Sequence, residues 1–313
     1  MSATATVRVA ARPTAVVDTE RGHRIRLRLL YVVAFLSNLA IFVYGFDYYK
    51  LSAMDRPFSP KHHLLRPSGP IGLYLGFLGV ALFIGIFLYP IRKHWAWLGQ
   101  IGKTRHWLDI HVLMGLTAPF IIAFHSTLKF KGIAGMAFWI MFAVSVSGVV
   151  GRYLYAQIPR RVTTAELTMK ELQELQEKLC QELASQKLLP ERDLKSLLRL
   201  PNAQQVARLP IPVALVYMMI LDIVRKFGVA RLRRLASGES LRTLFGFVPS
   251  QHRELEKTIH AAAEQAALSK RLLFLSRSQK VFHLWHVVHK PFSYAFAVLA
   301  LMHIGLQFVL GYF

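Results

Sequence analysis

Cysteine is almost missing from this chain of 313 residues, which contains a single one, Cys180. One thiol excludes an intrachain disulfide framework, a Cys-rich iron–sulfur site and the Cys-x-x-Cys-His attachment of a c-type haem. Acidic residues are also scarce, because 17 Asp and Glu stand against 39 Lys and Arg and the formal net charge is +22. The sequence contains no glycine-rich nucleotide-binding motif, no internal repeat and no low-complexity tract.

Apolar residues are abundant instead, at 54% of the chain, and they are concentrated in long runs. A membrane-spanning helix needs about 20 apolar residues. We therefore expect an all-α integral-membrane bundle of about five transmembrane helices, surrounded by membrane lipid. The five runs that satisfy this requirement are 29–46, 71–89, 107–126, 133–155 and 287–313.

The five predicted spans divide the chain into four parts. The predicted parts are a cytoplasmic N-terminal tail (1–28), transmembrane helices one to four (29–155), a mostly soluble helical cytoplasmic insertion (156–282) and the fifth transmembrane helix (283–313). Within the insertion, the apolar stretch 211–224 is too short to cross and is interpreted as interfacial or re-entrant. Periodicity predicts an amphipathic helix over 250–275.

The distribution of basic residues predicts the orientation of the chain. Lys and Arg number six in 1–28 and four in 91–106, against four in 47–70 and two in 127–132. This bias favours a cytoplasmic location for the N-terminus and the insertion. We expect an integral protein of a bacterial-type cytoplasmic membrane, in which the basic residues orient the spans and do not bind nucleic acid.

Four of the 13 histidines lie within the apolar runs, two in the third run and two in the fifth. His111 and His125 are separated by 14 residues, and so are His289 and His303. A separation of 14 residues differs from a whole number of helical turns by about 40°. Both side chains of a pair therefore leave the same helix face, about 21 Å apart along the axis. Two facing pairs at two levels are what two bis-histidine haems require, because each iron takes an axial imidazole from both sides.

The number of spans decides which histidines face each other. With five spans the third and fifth helices are parallel, which pairs His111 with His289 and His125 with His303. If the short interfacial stretch also crossed the membrane, His111 would face His303 and His125 would face His289. His286 is an alternative ligand, since it precedes His289 by three residues.

Basic residues near the predicted cytoplasmic ends of these helices are candidate contacts for haem propionates. The residues at these ends are Arg92, Lys93, Arg105, Arg152 and Lys290, and Lys129 and Lys131 are their equivalents on the opposite side. A carboxylate favours an Arg or Lys partner. Anchoring by the positive-inside rule explains the same positions equally well. Asp109, His106 and His286, near the cytoplasmic ends of these helices, are candidate proton-handling groups if a quinone also binds.

The two His-x13-His helices resemble those of the ferric-reductase-like transmembrane cytochromes, in which two helices supply all four haem ligands. The cytochrome b subunit of quinol:cytochrome c oxidoreductases uses a similar paired spacing. The resemblance covers about residues 70–155 and 283–313 and implies two haem b groups, with no information on substrate. No flavin or nicotinamide domain follows the fifth span, so we do not expect a self-contained NAD(P)H-fed ferric reductase.

The sequence therefore predicts a membrane b-type cytochrome that moves electrons across the bilayer as a subunit of a larger redox complex. The expected partners are an iron–sulfur or flavin protein on one face and a c-type cytochrome on the other. One alternative is a quinol-reactive cytochrome b subunit, with quinone at a haem edge. A second is a non-haem transporter or scaffold that uses the histidines as metal or packing groups. The residues do not decide whether the chain is itself an enzyme.

Overall fold

The computed structural model describes residues 14–158, 206, 209–237 and 253–311, which form helices joined by short turns. Cys180 lies outside the described residues. No strand occurs in the described part of the chain, which confirms the all-α prediction. The helices are α1 (Thr14–Tyr49), a 3₁₀ turn (Arg56–Phe58), α2 (His62–Leu65), α3 (Pro70–Arg92), α4 (Ala96–Gln100), α5 (Thr104–His125), α6 (Gly132–Gln157), α7 (Ile211–Ser237), α8 (Arg253–Leu273) and α9 (Leu275–Val309).

Five segments of the described chain are helical, long and apolar enough to cross a membrane, as the sequence predicts. Large apolar side chains cover their outward faces; Leu29 is 59% exposed, Phe35 66% and Val298 64%. Such surfaces fit acyl chains and not water. The chain is an integral membrane protein, and its candidate spans are Glu20–Tyr49, His62–Arg92, Thr104–His125, Gly132–Gln157 and Arg277–Val309.

Two helices extend well beyond the apolar runs that predict them. α1 begins 15 residues before the first run, and α9 begins 12 residues before the fifth. Hydropathy marks only the part of a helix that contacts lipid, whereas the helix continues until a cap or a turn residue ends it. The arginines that precede the first run are good helix formers, so α1 continues through them.

The chain forms two compact units. The first contains residues 1–150 and 288–313, and the second contains residues 151–287. In the first unit, α3 and α5 pack along most of their lengths. A Cβ on Gly79 would overlap the end of the Ile122 side chain, so the glycine lets the two helices approach closely.

A buried arginine cross-links the backbone at each end of the first unit. Near the α5–α6 turn, Arg56 donates to the carbonyl oxygens of Tyr49 (3.0 Å), Leu51 (3.1 Å) and Thr127. At the opposite end, Arg92 donates to the carbonyl oxygens of Gly99 (2.7 Å), Ile101 (3.3 Å) and Gly102 (2.8 Å) and to Thr104 Oγ1 (3.0 Å). Because a buried guanidinium must satisfy its donors, both arginines have a structural role.

In the second unit, α7 and α8 pack against the end of α6 and the start of α9. Asp222 of α7 accepts hydrogen bonds from the Tyr153 hydroxyl (2.7 Å) and from Lys270 Nζ. Burial lowers the pKa of Lys270, and the Asp222 carboxylate opposes this shift. The helix predicted over 250–275 is α8, whose inward face is buried at Ile259, Ala262 and Ala266.

Candidate functional site

All four predicted histidine ligands belong to the first unit. His111 and His125 lie on α5, and His289 and His303 lie on α9. Each is partly buried within a candidate span. Ionisable side chains are costly at such positions and usually have a function there.

A cavity of about 860 Å³ lies among α3, α5, α6 and α9 in the first unit. His125 and His303 both line it and are close enough to interact electrostatically. Phe83 and Phe138 are among its apolar walls. The structure thus brings together His125 and His303, the pairing expected for five spans. The volume lies within the roughly 300–1,000 Å³ range of ligand sites.

The same cavity is polar where it approaches the α5–α6 turn. Ser126, Lys129, Lys131 and Gln307 line this end. An apolar cavity with cations at one end suits a flat, apolar ligand that carries carboxylates on one edge. The chemistry of the lining residues therefore fits a haem, whose carboxylates the lysines would contact.

The backbone of α3 holds His125. The Nδ1 atom of His125 lies 2.8 Å from the Gly72 carbonyl oxygen. Because a carbonyl oxygen only accepts hydrogen bonds, Nδ1 carries the proton and Nε2 keeps its lone pair. The ring lies so close to α3 that a Cβ on Gly76 would be 2.9 Å from Cε1 and 3.0 Å from Nδ1. The absence of a side chain at Gly76 is what gives the imidazole access to this carbonyl.

The backbone of α3 holds His111 in the same way, nearer the other end of the helix. The Nδ1 atom of His111 lies 3.0 Å from the Ile86 carbonyl oxygen. In a regular helix this oxygen would accept from the N–H of residue 90, but that residue is Pro90, which has no N–H. Proline therefore frees the Ile86 carbonyl, and the imidazole occupies it. The ring of Tyr89 lies 5.0 Å from that of His111.

The two carbonyl acceptors on α3 are spaced like the histidines that they hold. Gly72 and Ile86 are 14 residues apart, as are His111 and His125. Equal residue numbers give equal rises of about 21 Å along two helices, so each imidazole meets a carbonyl at its own level.

The hydroxyl group of Ser147 on α6 holds His289. Ser147 Oγ lies 2.8 Å from the Val144 carbonyl oxygen, to which it donates its one proton. The same Oγ lies 2.7 Å from His289 Nδ1, so it accepts the Nδ1 proton. His289 Nε2 therefore also keeps its lone pair. The ring lies beside Gly148, where a Cβ would be 4.0 Å from Cε1.

The alternative ligand, His286, belongs to the second unit. Its Nδ1 lies 3.1 Å from the Phe282 carbonyl oxygen of its own helix, and its ring contacts Trp285 at a centroid distance of 4.7 Å. The structure thus places His289, and not His286, in the same unit as the other three histidines.

Three of the basic residues predicted to contact propionates, Arg105, Arg152 and Lys290, have different surroundings. Arg105 Nη1 lies 4.0 Å from Glu20 Oε2, so an acidic side chain faces it. Arg152 belongs to the second unit. Lys290 lies in the first unit, close to Lys93.

Lys93 and Lys290 form a pair of cations beside the His111 site. Lys93 interacts electrostatically with His111, and its Nζ lies 5.0 Å from the centre of the Tyr89 ring. Burial and the neighbouring Lys290 lower the pKa of Lys93. Among the described residues, no acidic side chain forms an ion pair with either lysine. Two cations without an acidic partner provide a site for a carboxylate.

A cluster of acidic and imidazole groups lies where α1 meets α5. Asp109 is buried, and its Oδ2 lies 3.1 Å from His23 Nε2. The His23 ring stacks on His106 with 3.6 Å between ring centres, and His106 Nε2 lies 3.5 Å from Glu20 Oε1. Sequence reasoning missed His23, because it precedes the first apolar run and only the fold brings it to α5.

Metal coordination by side chains alone would need more ligands than each histidine pair provides. Among the described residues, no group of three or more His, Cys, Asp or Glu side chains is placed to hold a metal ion. Two imidazoles on opposite sides would suit an iron that brings its other four ligands in a porphyrin. No protein-family model, curated protein or solved structure matches this chain.

Proposed function

We propose that this chain is a membrane b-type cytochrome that holds two bis-histidine haems and moves electrons across the bilayer as a subunit of a larger redox complex. The observation that carries the proposal is the orientation of three imidazoles. Nδ1 of His111, His125 and His289 each lies at a hydrogen-bond acceptor, which leaves Nε2 as the lone-pair nitrogen. Metal-binding histidines almost always donate their other nitrogen in this manner, because the hydrogen bond sets the tautomer and orients the ring.

The cavity between α5 and α9 supports the proposal at one of the two levels. His125 and His303 would supply the axial ligands, and the apolar walls would exclude water. Lys129 and Lys131 line the polar end of the cavity and would contact the propionates. A haem bound there supplies one-electron chemistry, because its iron alternates between the ferric and ferrous states.

The second level would use His111 and His289, with Lys93 and Lys290 beside them. The two levels are about 21 Å apart along each helix, so one haem would lie toward each membrane surface. Two sites at different depths allow electrons to cross a membrane that a single site does not span.

We assign the N-terminus and residues 156–282 to the cytoplasmic side of a bacterial-type inner membrane, on the distribution of Lys and Arg. In this orientation an iron–sulfur or flavin protein would exchange electrons on one face and a c-type cytochrome on the other. Reporter fusions after residue 28, in 127–131 and after residue 311 test the orientation. Cytoplasmic signal from the fusion in 127–131 would refute it.

The direct test is a pyridine haemochrome assay on the purified chain, expressed with a haem precursor. We expect two b haems per chain, one haem in His303→Ala or His111→Ala, and none when both are replaced. His63→Ala is the matched control, because His63 is exposed on α2 and, within the described part of the chain, hydrogen-bonds only the Pro60 carbonyl (2.9 Å). A chain without haem, or equal haem loss in the control, would overturn the proposal.

A second candidate function is a quinol-reactive cytochrome b subunit. The Asp109–His23 pair and its stacked His106 favour it, because a quinone head group needs a hydrogen-bond donor or acceptor near the membrane boundary. A short-chain quinol should then reduce the haems without a partner protein, and His23→Ala should slow that reduction. If the quinol leaves the haems oxidised while dithionite reduces them, this candidate is wrong.

A further inference from the structure

α7 has an exposed apolar face. Val213, Val216, Ile220, Ile223 and Phe227 recur at intervals of three and four residues, so they share one face of the helix. Their side chains are between 47 and 60% exposed. The opposite face is buried in the core of the unit through Ala214 and Met218.

This face becomes basic in the last two turns of α7. Arg231 and Arg234 follow Phe227 by four and seven residues, which places them on the same face, and both are exposed. Arg233 points elsewhere and forms an ion pair with Glu256 at 2.9 Å. The face is therefore apolar for about 21 Å, from residue 213 to residue 227, and cationic after that.

The contacts of α7 hold it beside the ends of two membrane spans. Its Met218 packs with Leu154 of α6, and its Asp222 accepts the Tyr153 hydroxyl of α6. Ser278 Oγ of α9 lies 3.7 Å from Met218 Sδ. These residues of α6 and α9 lie within candidate spans, whereas α7 does not qualify as one. α7 thus packs against residues near the ends of two candidate spans.

We infer that α7 is a membrane-surface helix that binds anionic phospholipid. Its exposed apolar face lies among the acyl chains, and Arg231 and Arg234 contact the negatively charged headgroups. An apolar face with a cationic end has the charge pattern of such helices. Because α7 contacts residues of α6 and α9 that lie within candidate spans, lipid is the occupant and not a soluble protein. This inference does not depend on haem.

The first test measures the depth of α7 in nanodiscs of phosphatidylcholine with one quarter phosphatidylglycerol. Nitroxide labels are attached to Val216→Cys, Ile220→Cys or Arg231→Cys in the full chain carrying Cys180→Ser. We expect the labels at 216 and 220 to be more accessible to oxygen than to a water-soluble nickel chelate, and the label at 231 to show the reverse. Labels at 216 and 220 that favour nickel, or that both reagents fail to reach, would overturn the inference. A series at 213, 220 and 227 that passes through the bilayer midplane would show a sixth span, which also overturns it.

The second test asks whether binding of the cationic end of α7, Arg231 and Arg234, depends on the charge of the lipid headgroups. An arginine near an anionic surface strengthens the binding equilibrium between helix and membrane by about fivefold. A label at Phe227→Cys should therefore become shallower in pure phosphatidylcholine. The double variant Arg231→Gln/Arg234→Gln should show the same shallow label in the anionic discs. Lys226→Gln is the matched control, because Lys226 is exposed on α7 but lies about 100° from Phe227. An unchanged depth in the double variant and in pure phosphatidylcholine would refute the role of anionic lipid.

Discussion

The substitution Gly76→Ala should selectively weaken one of the two proposed haem sites. The added Cβ would lie 2.9 Å from His125 Cε1, whereas ordinary contacts begin at 3.4 Å. The ring must therefore retreat by about 0.5 Å to restore van der Waals contact. Its hydrogen bond to the Gly72 carbonyl, 2.8 Å long, is then stretched or lost.

The expected magnitude follows from the role of that hydrogen bond. Loss of the group that orients a metal-binding histidine costs about 10–100-fold in metal affinity, or roughly 1.4–2.7 kcal/mol. Alanine favours a helix over glycine by about 1 kcal/mol, so the substitution itself does not unfold α3. The assay is transfer of haem from the purified chain to excess apomyoglobin. One of the two haems should leave about 10–100 times faster than in the parent chain.

The matched control is Gly305→Ala on α9. Gly305 is exposed, and a Cβ there would have no atom within 4 Å. Its haem transfer should equal that of the parent chain. Unchanged transfer from Gly76→Ala, or equal acceleration in the control, would refute the reasoning.

Three other substitutions test the remaining contacts of the sites. Pro90→Ala restores a backbone N–H that competes with His111 for the Ile86 carbonyl. A potentiometric titration should then show a shifted midpoint potential for one haem only, and two unchanged midpoints would contradict this. Ser147→Val removes the acceptor of His289 and should accelerate loss of one haem by about 10-fold, whereas Ser147→Thr should preserve binding. The folded state lowers the pKa of Lys93, so the unfolded chain binds more protons. The free energy of unfolding of the haem-free chain should therefore rise with pH up to the ordinary lysine value of 10.5. Lys93→Gln should flatten that rise in thermal unfolding, and an identical slope would contradict the assignment.

The spans and the histidine pairs could be predicted from the sequence, because both depend only on the order of residues within one helix. A run of about 20 apolar residues predicts a span by its length, and a separation of 14 residues predicts a shared face by helical geometry. The structure confirms five apolar helices in its described part. Haem ligation by His111, His125, His289 and His303 stays a prediction.

The contacts that orient the histidines were not accessible, because their acceptors are mostly backbone carbonyls. Every residue has a carbonyl, so Gly72 and Ile86 carry no sequence signal. Pro90 is visible in the sequence, but there it marks the end of the second apolar run and does not indicate a free carbonyl. In the structure α3 continues past Pro90 to Arg92. The helix tolerates the missing N–H of Pro90 because His111 donates to the Ile86 carbonyl instead.

The choice among basic residues also required the fold. Arg105 and Lys290 are equivalent in sequence, because each lies near the start of the apolar run of a proposed haem helix. Which one faces an acidic group depends on which helices are neighbours, and α1 brings Glu20 to Arg105. Hydropathy gives the number of helices but not their neighbours, so the sequence could not separate Lys93 and Lys290 from Arg105.

The matched spacing on α3 places a stronger constraint on its length than on its composition. The acceptors at Gly72 and Ile86 are backbone atoms, so most side chains between them are free to vary as long as they remain apolar. A single inserted residue would instead turn one acceptor by about 100° and move it by about 1.5 Å relative to the other. No substitution elsewhere on α3 restores both alignments, so homologous chains should tolerate apolar replacements in 73–85, except at Gly76 and Gly79, but not insertions or deletions.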